Sequence, residues 1–458
     1  MWTDREPLVV ALPILHTSQE VALKNRVLTV GIVALLLATT TSLALAGGYQ
    51  VNEHNARAMG MGGAFVAIAS DASAVFFNPA GLAFQKGFSV LGGGTMIMPS
   101  TSFTGVKQNG TGTRPDQSMK SQTFFPPNVY LSYNMDNLTF AVGVFAPYGL
   151  GTEWEPTWDG RYSAVKTDLQ AIYINPSIGY RLSDQFSIGV GVSYITGSAK
   201  LNRKVRTFSA LVPAPTPSTS DGDVSLDGTG SGFTFNAGLL YKPSEQLSVG
   251  LAYRHVAKIK FEGDAKFTNM QALASFFPGG KGSVELPMPS NLQAGLAYNV
   301  SNDLTLALDF QYVLWSAYDK LMIVVPDGPA APAALGGQPL QTTSTLVEDW
   351  KDAFLLRFGG EYRMDKLSLR AGVLYDATPQ PDKSVEPMLP DANRIEVTVG
   401  AGYMISDMLS IDVAYQFISA ADRKGGFADV LGGSTLATYA GTYKTTANLL
   451  GVDIGLHF

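Results

Sequence analysis

The chain has no cysteine among its 458 residues. Disulfide frameworks, thiolate metal sites and thiol nucleophiles are excluded together. Charged residues are scarce, at 15%, and the net charge of -6 comes with no basic block, so nucleic acid is not an expected partner. Histidine is nearly absent. His16, His54, His255 and His457 show neither triad nor metal-ligand spacing, and neither a metal nor another cofactor is expected. Ser163-Ala164-Val165-Lys166 has the S-x-x-K form of a serine nucleophile without its companion motifs and reads as coincidence. The chain is not expected to be an enzyme. Long apolar runs are missing too, for beyond residue 46 none is long enough to cross a membrane as a helix. The one such run, Val27–Ala46, follows Lys24 and Arg26 and ends in Ala44-Leu45-Ala46. It reads as a secretory signal peptide cleaved before Gly47, with an N-terminal anchor as the alternative. Met1–Ala22, with Asp4, Glu6, Pro7 and Pro13, fits poorly ahead of a signal peptide, and a misassigned start codon explains it.

What the chain does have is period-two alternation. Phe186, Ile188, Val190, Val192 and Tyr194 share one face, and Ser187, Gly189, Gly191 and Ser193 the other. The pattern recurs at Leu247–Arg254, at Leu304–Tyr312 and at the C-terminus, Leu450–Phe458. Such alternation specifies strands. A soluble sandwich would turn its polar face to bulk water, whereas here that face is rich in Gly and Ser, as suits a crowded or wet lumen. Tyr133, Tyr180, Tyr241, Tyr298, Tyr362 and Tyr403 each precede a short polar turn. Short turns flanked by interfacial aromatics belong to a transmembrane β-barrel. Longer polar or Pro/Gly-rich stretches fall near 100–121, 148–167, 201–229, 261–289, 319–350, 376–392 and 421–444. Six turns and seven loops make thirteen connections, hence an all-β, 14-stranded antiparallel barrel over 88–458. Short turns then face the periplasm of a Gram-negative bacterium, long loops face outward, and Phe458 is a signal to the barrel-assembly machinery. A multi-pass outer-membrane protein in contact with lipid, and monomeric, is expected.

Residues 47–87 do not alternate. They contain Ala58-Met59-Gly60-Met61-Gly62-Gly63-Ala64, Asp71-Ala72-Ser73-Ala74 and Phe76-Phe77-Asn78-Pro79-Ala80-Gly81. The glycines are too irregular for a dinucleotide fingerprint. A segment of this size on the periplasmic side of a barrel has the lumen as its place, as a plug. A general diffusion porin would have no such plug. The opening Gly48-Tyr49-Gln50-Val51-Asn52-Glu53, the Gly60/Gly62 pair, Asp71-Ala72 and Asn78-Pro79-Ala80 resemble the hatch of the FadL-like outer-membrane transporters of long-chain fatty acids and hydrocarbons. The resemblance continues through Tyr148-Gly149-Leu150-Gly151-Thr152-Glu153, Trp315-Ser316 and Trp350-Lys351-Asp352-Ala353.

That resemblance implies passive transport of hydrophobic small molecules, long-chain fatty acids or alternatively aromatic and aliphatic hydrocarbons. Ligand would be captured in the barrel, the hatch would move, and ligand would leave sideways where the third strand kinks. Here that strand is Leu138–Pro147, and Ala146, Pro147, Tyr148 and Gly149 would form the lateral exit. Proline gives no ladder hydrogen bond, so Pro147 either breaks the wall or begins an outer loop. Asn78, Pro79 and Ala80 would gate the exit, or form a plain structural turn. Arg203 resembles a family arginine at the ligand site. Arg254, Lys258, Arg357 and Arg370 follow from alternation as inward cations, for a ligand carboxylate or for lumen carboxylates such as Asp309, Asp412 and Asp453. A family lysine just before Trp350 has no basic counterpart in Leu346-Val347-Glu348-Asp349, which leaves room for an uncharged hydrocarbon. The outer loops carry Leu211-Val212-Pro213-Ala214, Phe276-Phe277 and Leu321–Val325, apolar enough for a greasy capture groove or for loop packing and strand ends. A surface receptor or adhesin barrel is the competing class.

Overall fold

Alternation becomes a closed wall in the computed structural model, which describes residues 47–106, 112–206, 221–333, 337–431 and 434–458, the side chains of 272 and 428–438 aside. The signal-peptide segment and Leu211–Ala214 lie outside the described residues. The wall has fourteen antiparallel strands. They are β1 (Phe88–Gly105), β2 (Pro127–Met135), β3 (Leu138–Glu153), β4 (Lys166–Arg181), β5 (Phe186–Val205) and β6 (Gly222–Tyr241). Then come β7 (Leu247–Arg254, continued by Ala257–Thr268), β8 (Gly280–Met288, continued by Asn291–Asn299), β9 (Leu304–Val313) and β10 (Ala353–Met364). Last are β11 (Leu367–Asp376), β12 (Arg394–Ser406), β13 (Leu409–Ala420, continued by Arg423–Leu431) and β14 (Ser434–His457). Each pairs with its successor, and β1 closes on β14 from Ser89↔His457 to Gly105↔Gly441. Phe88 and Phe458 exchange backbone hydrogen bonds of 3.0 and 2.8 Å at the seam. Closure leaves no wall edge to lipid, the condition for spanning a membrane with strands. Among the described residues no helix is long and apolar enough to cross one.

The two faces separate as alternation requires. Val190, Val192, Phe233, Ile395, Val397 and Val399 are exposed on the outside, while Ser187 and Ser193 are buried within. The six turn-flanking tyrosines are all exposed, from 43% for Tyr180 to 52% for Tyr133, as an interfacial girdle demands. The strands outrun the polar stretches that mark loops in the sequence. The third runs to Glu153 rather than Pro147, and β1 runs to Gly105. Polar Thr, Ser and Gly residues above the apolar belt still pair, as Ser100–Gly105 does with Thr446–Gly441. Lys320–Val324 is also a strand and pairs with Ser283 and Val284 of β8, so Leu321–Val325 largely prolongs the wall.

Residues 47–87 pack against the inward faces. They form α1 (Ala56–Gly60), α2 (Ala74–Phe77) and a 3-10 turn, Pro79–Phe84. Val51, Ala58, Met61, Ala64, Phe65, Val66, Ala74 and Ala80 are fully buried. Wall carboxylates hold this backbone. Asp309 Oδ2 accepts from Phe65 N at 2.7 Å and Val66 N at 2.9 Å, and Asp453 accepts from Ala56 N and Asn128 Nδ2. Arg57 donates to Glu361, which Arg370 also contacts. Gly62, at φ +64°, sits against Gly372, where a side chain on either residue would meet backbone.

Candidate ligand cavity and wall bulge

The cavity is built up from Gly48. Its φ is +60°, and a Cβ there would strike the rings of Trp315 and Trp350. Only glycine accepts both conditions. The next residue, Tyr49, is thereby buried in an aromatic cluster, with ring centroids 4.8 Å from Trp315, 5.7 Å from Tyr318, 6.0 Å from Trp350 and 6.1 Å from Tyr148. Tyr49 OH donates to Pro287 O and Tyr148 OH to Pro289 O, so both phenols are satisfied at β8. Beside Tyr49 opens a cavity of about 550 Å3 whose apolar lining includes Leu169, Leu201, Leu286, Leu321, Met388 and Leu389.

Two loop carboxylates, Glu348 and Glu386, and Asp168 of β4 face this cavity, and among the described residues no basic side chain lines it. Burial pushes Glu348 up to about 7, against a 3.1 Å hydrogen bond from Trp350 Nε1. Burial, then the neighbouring Glu348 charge, holds Glu386 well above the usual carboxylate range, with Arg203 opposing. Both effects disfavour a charge in an apolar site.

Beside the aromatic cluster the wall is irregular. From Phe145 to Tyr148, β3 advances three residues while β4 advances two, from Tyr173 to Ala171. This is a one-residue β-bulge. β2 accompanies β3 only as far as Asn128↔Phe145. Above that pair the N-terminal segment takes the edge: Val51 N donates to Pro147 O and Gly149 N to Tyr49 O, each at 2.9 Å, with a Gln50↔Tyr148 bridge between them. Pro147 therefore sits within a strand, at a bulge, and does not begin a loop. It has no N–H to leave unpaired there. Phe145 and Ala146 are fully buried.

The other expected residues divide. Asn78 Nδ2 donates to Val66 O at 2.9 Å and Leu239 O at 3.0 Å, and its Oδ1 accepts from Ala80 N. Asn78-Pro79-Ala80 lies against Gly179, Gly189 and Gly238 of β4, β5 and β6. The side-chain hydrogen bonds of Asn78 go to Val66, Leu239 and Ala80, none of them in β3. Phe76 adjoins the bulge, with its ring 5.3 Å from Phe145. Arg203 is exposed at the outer end of β5, near Glu386. Arg370 is held by Glu361 at 2.7 Å and Asp412 at 2.5 Å. Lys258 corrects the inward reading. The interruption at His255–Val256 shifts the parity of β7, so Ala257, Ile259 and Phe261 are buried and Lys258 is exposed. Phe277 packs on Phe267 in a loop cluster with Met270 and Leu273, and neither it nor Phe276 lines the cavity. Arg254 and Arg357 border a second cavity, of about 400 Å3. Sequence reasoning did not assign Tyr49, Glu348 and Glu386 to a ligand cavity. The available signal was a set of aromatics inside otherwise polar stretches.

A closed fourteen-stranded barrel, filled by its own N-terminal segment and holding an apolar cavity, defines an outer-membrane transport barrel. A profile of the family described as "Outer membrane protein transport protein (OMPP1/FadL/TodX)" matches residues 37–458. The chain belongs to that family, whose members are transport proteins of the outer membrane. It is 28% identical to Outer membrane protein P1 of Haemophilus influenzae, over 92% of this chain and 98% of the relative. It is 27% identical to a Long-chain fatty acid transport protein of Escherichia coli, over 93% and 97%. In fold it resembles a FadL homologue of Pseudomonas aeruginosa, with TM-score 0.77, 22% identity, and 90% and 100% of the two chains covered. The Pseudomonas putida toluene transporter TodX aligns with TM-score 0.67 at 17% identity, covering 90% and 100%.

Proposed function

We propose that this chain passes long-chain fatty acids from the cell exterior into the outer membrane, through the cavity beside Tyr49 and out sideways at the β3 bulge. The observation that carries this reading is the pairing of Tyr49–Val51 with the β3 edge. The N-terminal segment supplies the ladder partner that β2 does not. A shift of that segment breaks two backbone hydrogen bonds and uncovers a break in the wall beside an apolar cavity. An unpaired strand edge costs several kcal/mol in lipid, so the segment both seals the wall and gates it. The name of the Escherichia coli relative favours fatty acids. The second reading is a hydrocarbon channel. The absence of a basic side chain from the cavity lining among the described residues, and its two glutamates, favour that one.

Uptake of labelled oleate and of labelled toluene by a transporter-null Gram-negative host expressing the chain separates the two. We expect oleate uptake, and its loss when Ala146→Arg places a long cation in the exit. Toluene uptake alone establishes the hydrocarbon reading, and uptake of neither refutes transport.

A further inference from the structure

The second cavity lies between the N-terminal segment and the inner wall, bordered by Phe76, Pro147, Tyr148, Arg254, Gln311 and Arg357 among others. Tyr49 lines the outer cavity and Tyr148 this one, their rings 6.1 Å apart, so a pair of tyrosines separates the two spaces.

The lumen arginines are not alike. Arg370 touches Glu361 and Asp412, Arg394 touches Asp391 at 2.5 Å, and Arg57 touches Glu361 at 2.9 Å. Arg254 is as buried as Arg394, at 5% exposed, yet among the described residues no carboxylate forms an ion pair with it. Its Nη2 donates to Phe76 O at 3.2 Å, and its Nη1 has no partner. The guanidinium lies 5.6 Å from the Phe76 ring centroid, 5.5 Å from Phe145 and 5.9 Å from Tyr173. Aromatic faces offset part of a cation's desolvation and supply no acceptor.

Two further buried donors without partners border the same space. Arg357 uses Nη2 on Gln311 Oε1 at 2.7 Å and on Asn52 Oδ1, which leaves its Nε free. Gln311, 1% exposed, leaves Nε2 free. Asp309 is the ladder partner of Arg357 but is turned away. Its Oδ2 takes two backbone amides of the N-terminal segment, and its Oδ1 lies against Gly295. Leaving one buried donor unmet costs about 1–3 kcal/mol, and more for a charged group. Three that border one cavity, one of them on a cation without a counter-ion, describe a site for an anion. A guanidinium fork matches a carboxylate in two parallel hydrogen bonds.

We infer that Arg254, with Arg357 Nε and Gln311 Nε2 beside it, forms a carboxylate-binding site at the β3 bulge. It receives the head of a monocarboxylic cargo after the apolar outer cavity has taken the chain. This rests on the transport reading above, and it selects an amphiphilic acid over a plain hydrocarbon. Because Phe76 O is the acceptor Arg254 now uses, an arriving carboxylate competes with it. Binding would then free Arg254 from α2 next to the break in the wall.

The test compares equilibrium binding of labelled oleate and labelled oleyl alcohol, equal in chain length, to the purified full barrel in detergent at about pH 6, where a free carboxylate is ionised and Glu348 still holds its proton. In the native barrel oleate binds tighter than the alcohol. Arg254→Gln lowers oleate affinity by about tenfold or more, the usual scale of a charge-assisted hydrogen bond, and narrows the oleate-to-alcohol ratio by that factor. Arg254→Lys, which keeps the charge and loses the fork, restores part of it. Equal affinities for the two ligands in the native barrel overturn the site, and that arm needs no variant to fold. An equal loss of both ligands in an assembled Arg254→Gln barrel overturns it as well. Cellular uptake of the alcohol and the acid at equal rates sinks the anion site and spares the transport reading, whereas uptake of neither sinks both.

Discussion

Glu348 shows how one side chain conditions the outer cavity. Its carboxyl keeps a proton up to about pH 7, where an ordinary glutamate ionises near 4.5. The cause is burial, so the sign is fixed. Below the ordinary value the group is neutral both buried and free, and burial costs nothing. As pH rises from there toward about 7, keeping the buried proton costs stability, and above about 7 a charge stands in an apolar space. Glu386, next to it, favours its protonated form still more strongly. Oleate binding should therefore weaken as pH rises from about 6 to about 8, by several-fold at least. Glu348→Gln should remove that step while leaving binding at the acid end. Titration of binding affinity in native and variant barrels decides this. An unchanged step in the variant assigns the pH dependence elsewhere.

Individual elements show what alternation reveals and what it hides. The wall was legible because a strand between lipid and lumen repeats every two residues, and the turn-side tyrosines fell where expected. Strand ends were less legible. Above the lipid belt both faces are polar, so Ser100–Gly105 and Tyr148–Glu153 look like loop and yet pair. Parity fails wherever a strand is interrupted. Arg254 points inward as predicted and Lys258 does not, because His255–Val256 lies between them. The resemblance located Asn78-Pro79-Ala80 within the N-terminal segment, but the element touching the bulge proved to be Tyr49–Val51 with Phe76. Asn78 joins the segment to Leu239 of β6 instead. Asn78→Ala with Pro79→Ala should weaken that joint by about 1–3 kcal/mol, the cost of leaving buried carbonyls unmet. We expect altered transport kinetics in a fully assembled barrel, measured by initial rates of oleate uptake. Unchanged kinetics make the motif a plain turn.

The whole molecule arranges its chemistry in sequence. An apolar cavity under the loops meets a cluster of Tyr49, Trp315 and Trp350, and below it a cation waits at a bulged strand. Residues far apart in the chain, from Gly48 to Glu386, converge only because the barrel closes and its N-terminal segment returns to the wall. Sequence spacing carries no trace of that convergence, so the cavity was invisible to it. On the proposed route, cargo leaves through the wall at the bulge and does not pass on through the lumen. Deleting Pro147 removes the one extra residue and restores an even register between Phe145 and Tyr148 against β4. Oleate uptake by cells, set against oleate binding to the same purified barrel, is the decisive pair of readings. We expect an assembled barrel that still binds oleate and no longer delivers it. Full uptake through an assembled barrel without the bulge would contradict the lateral route.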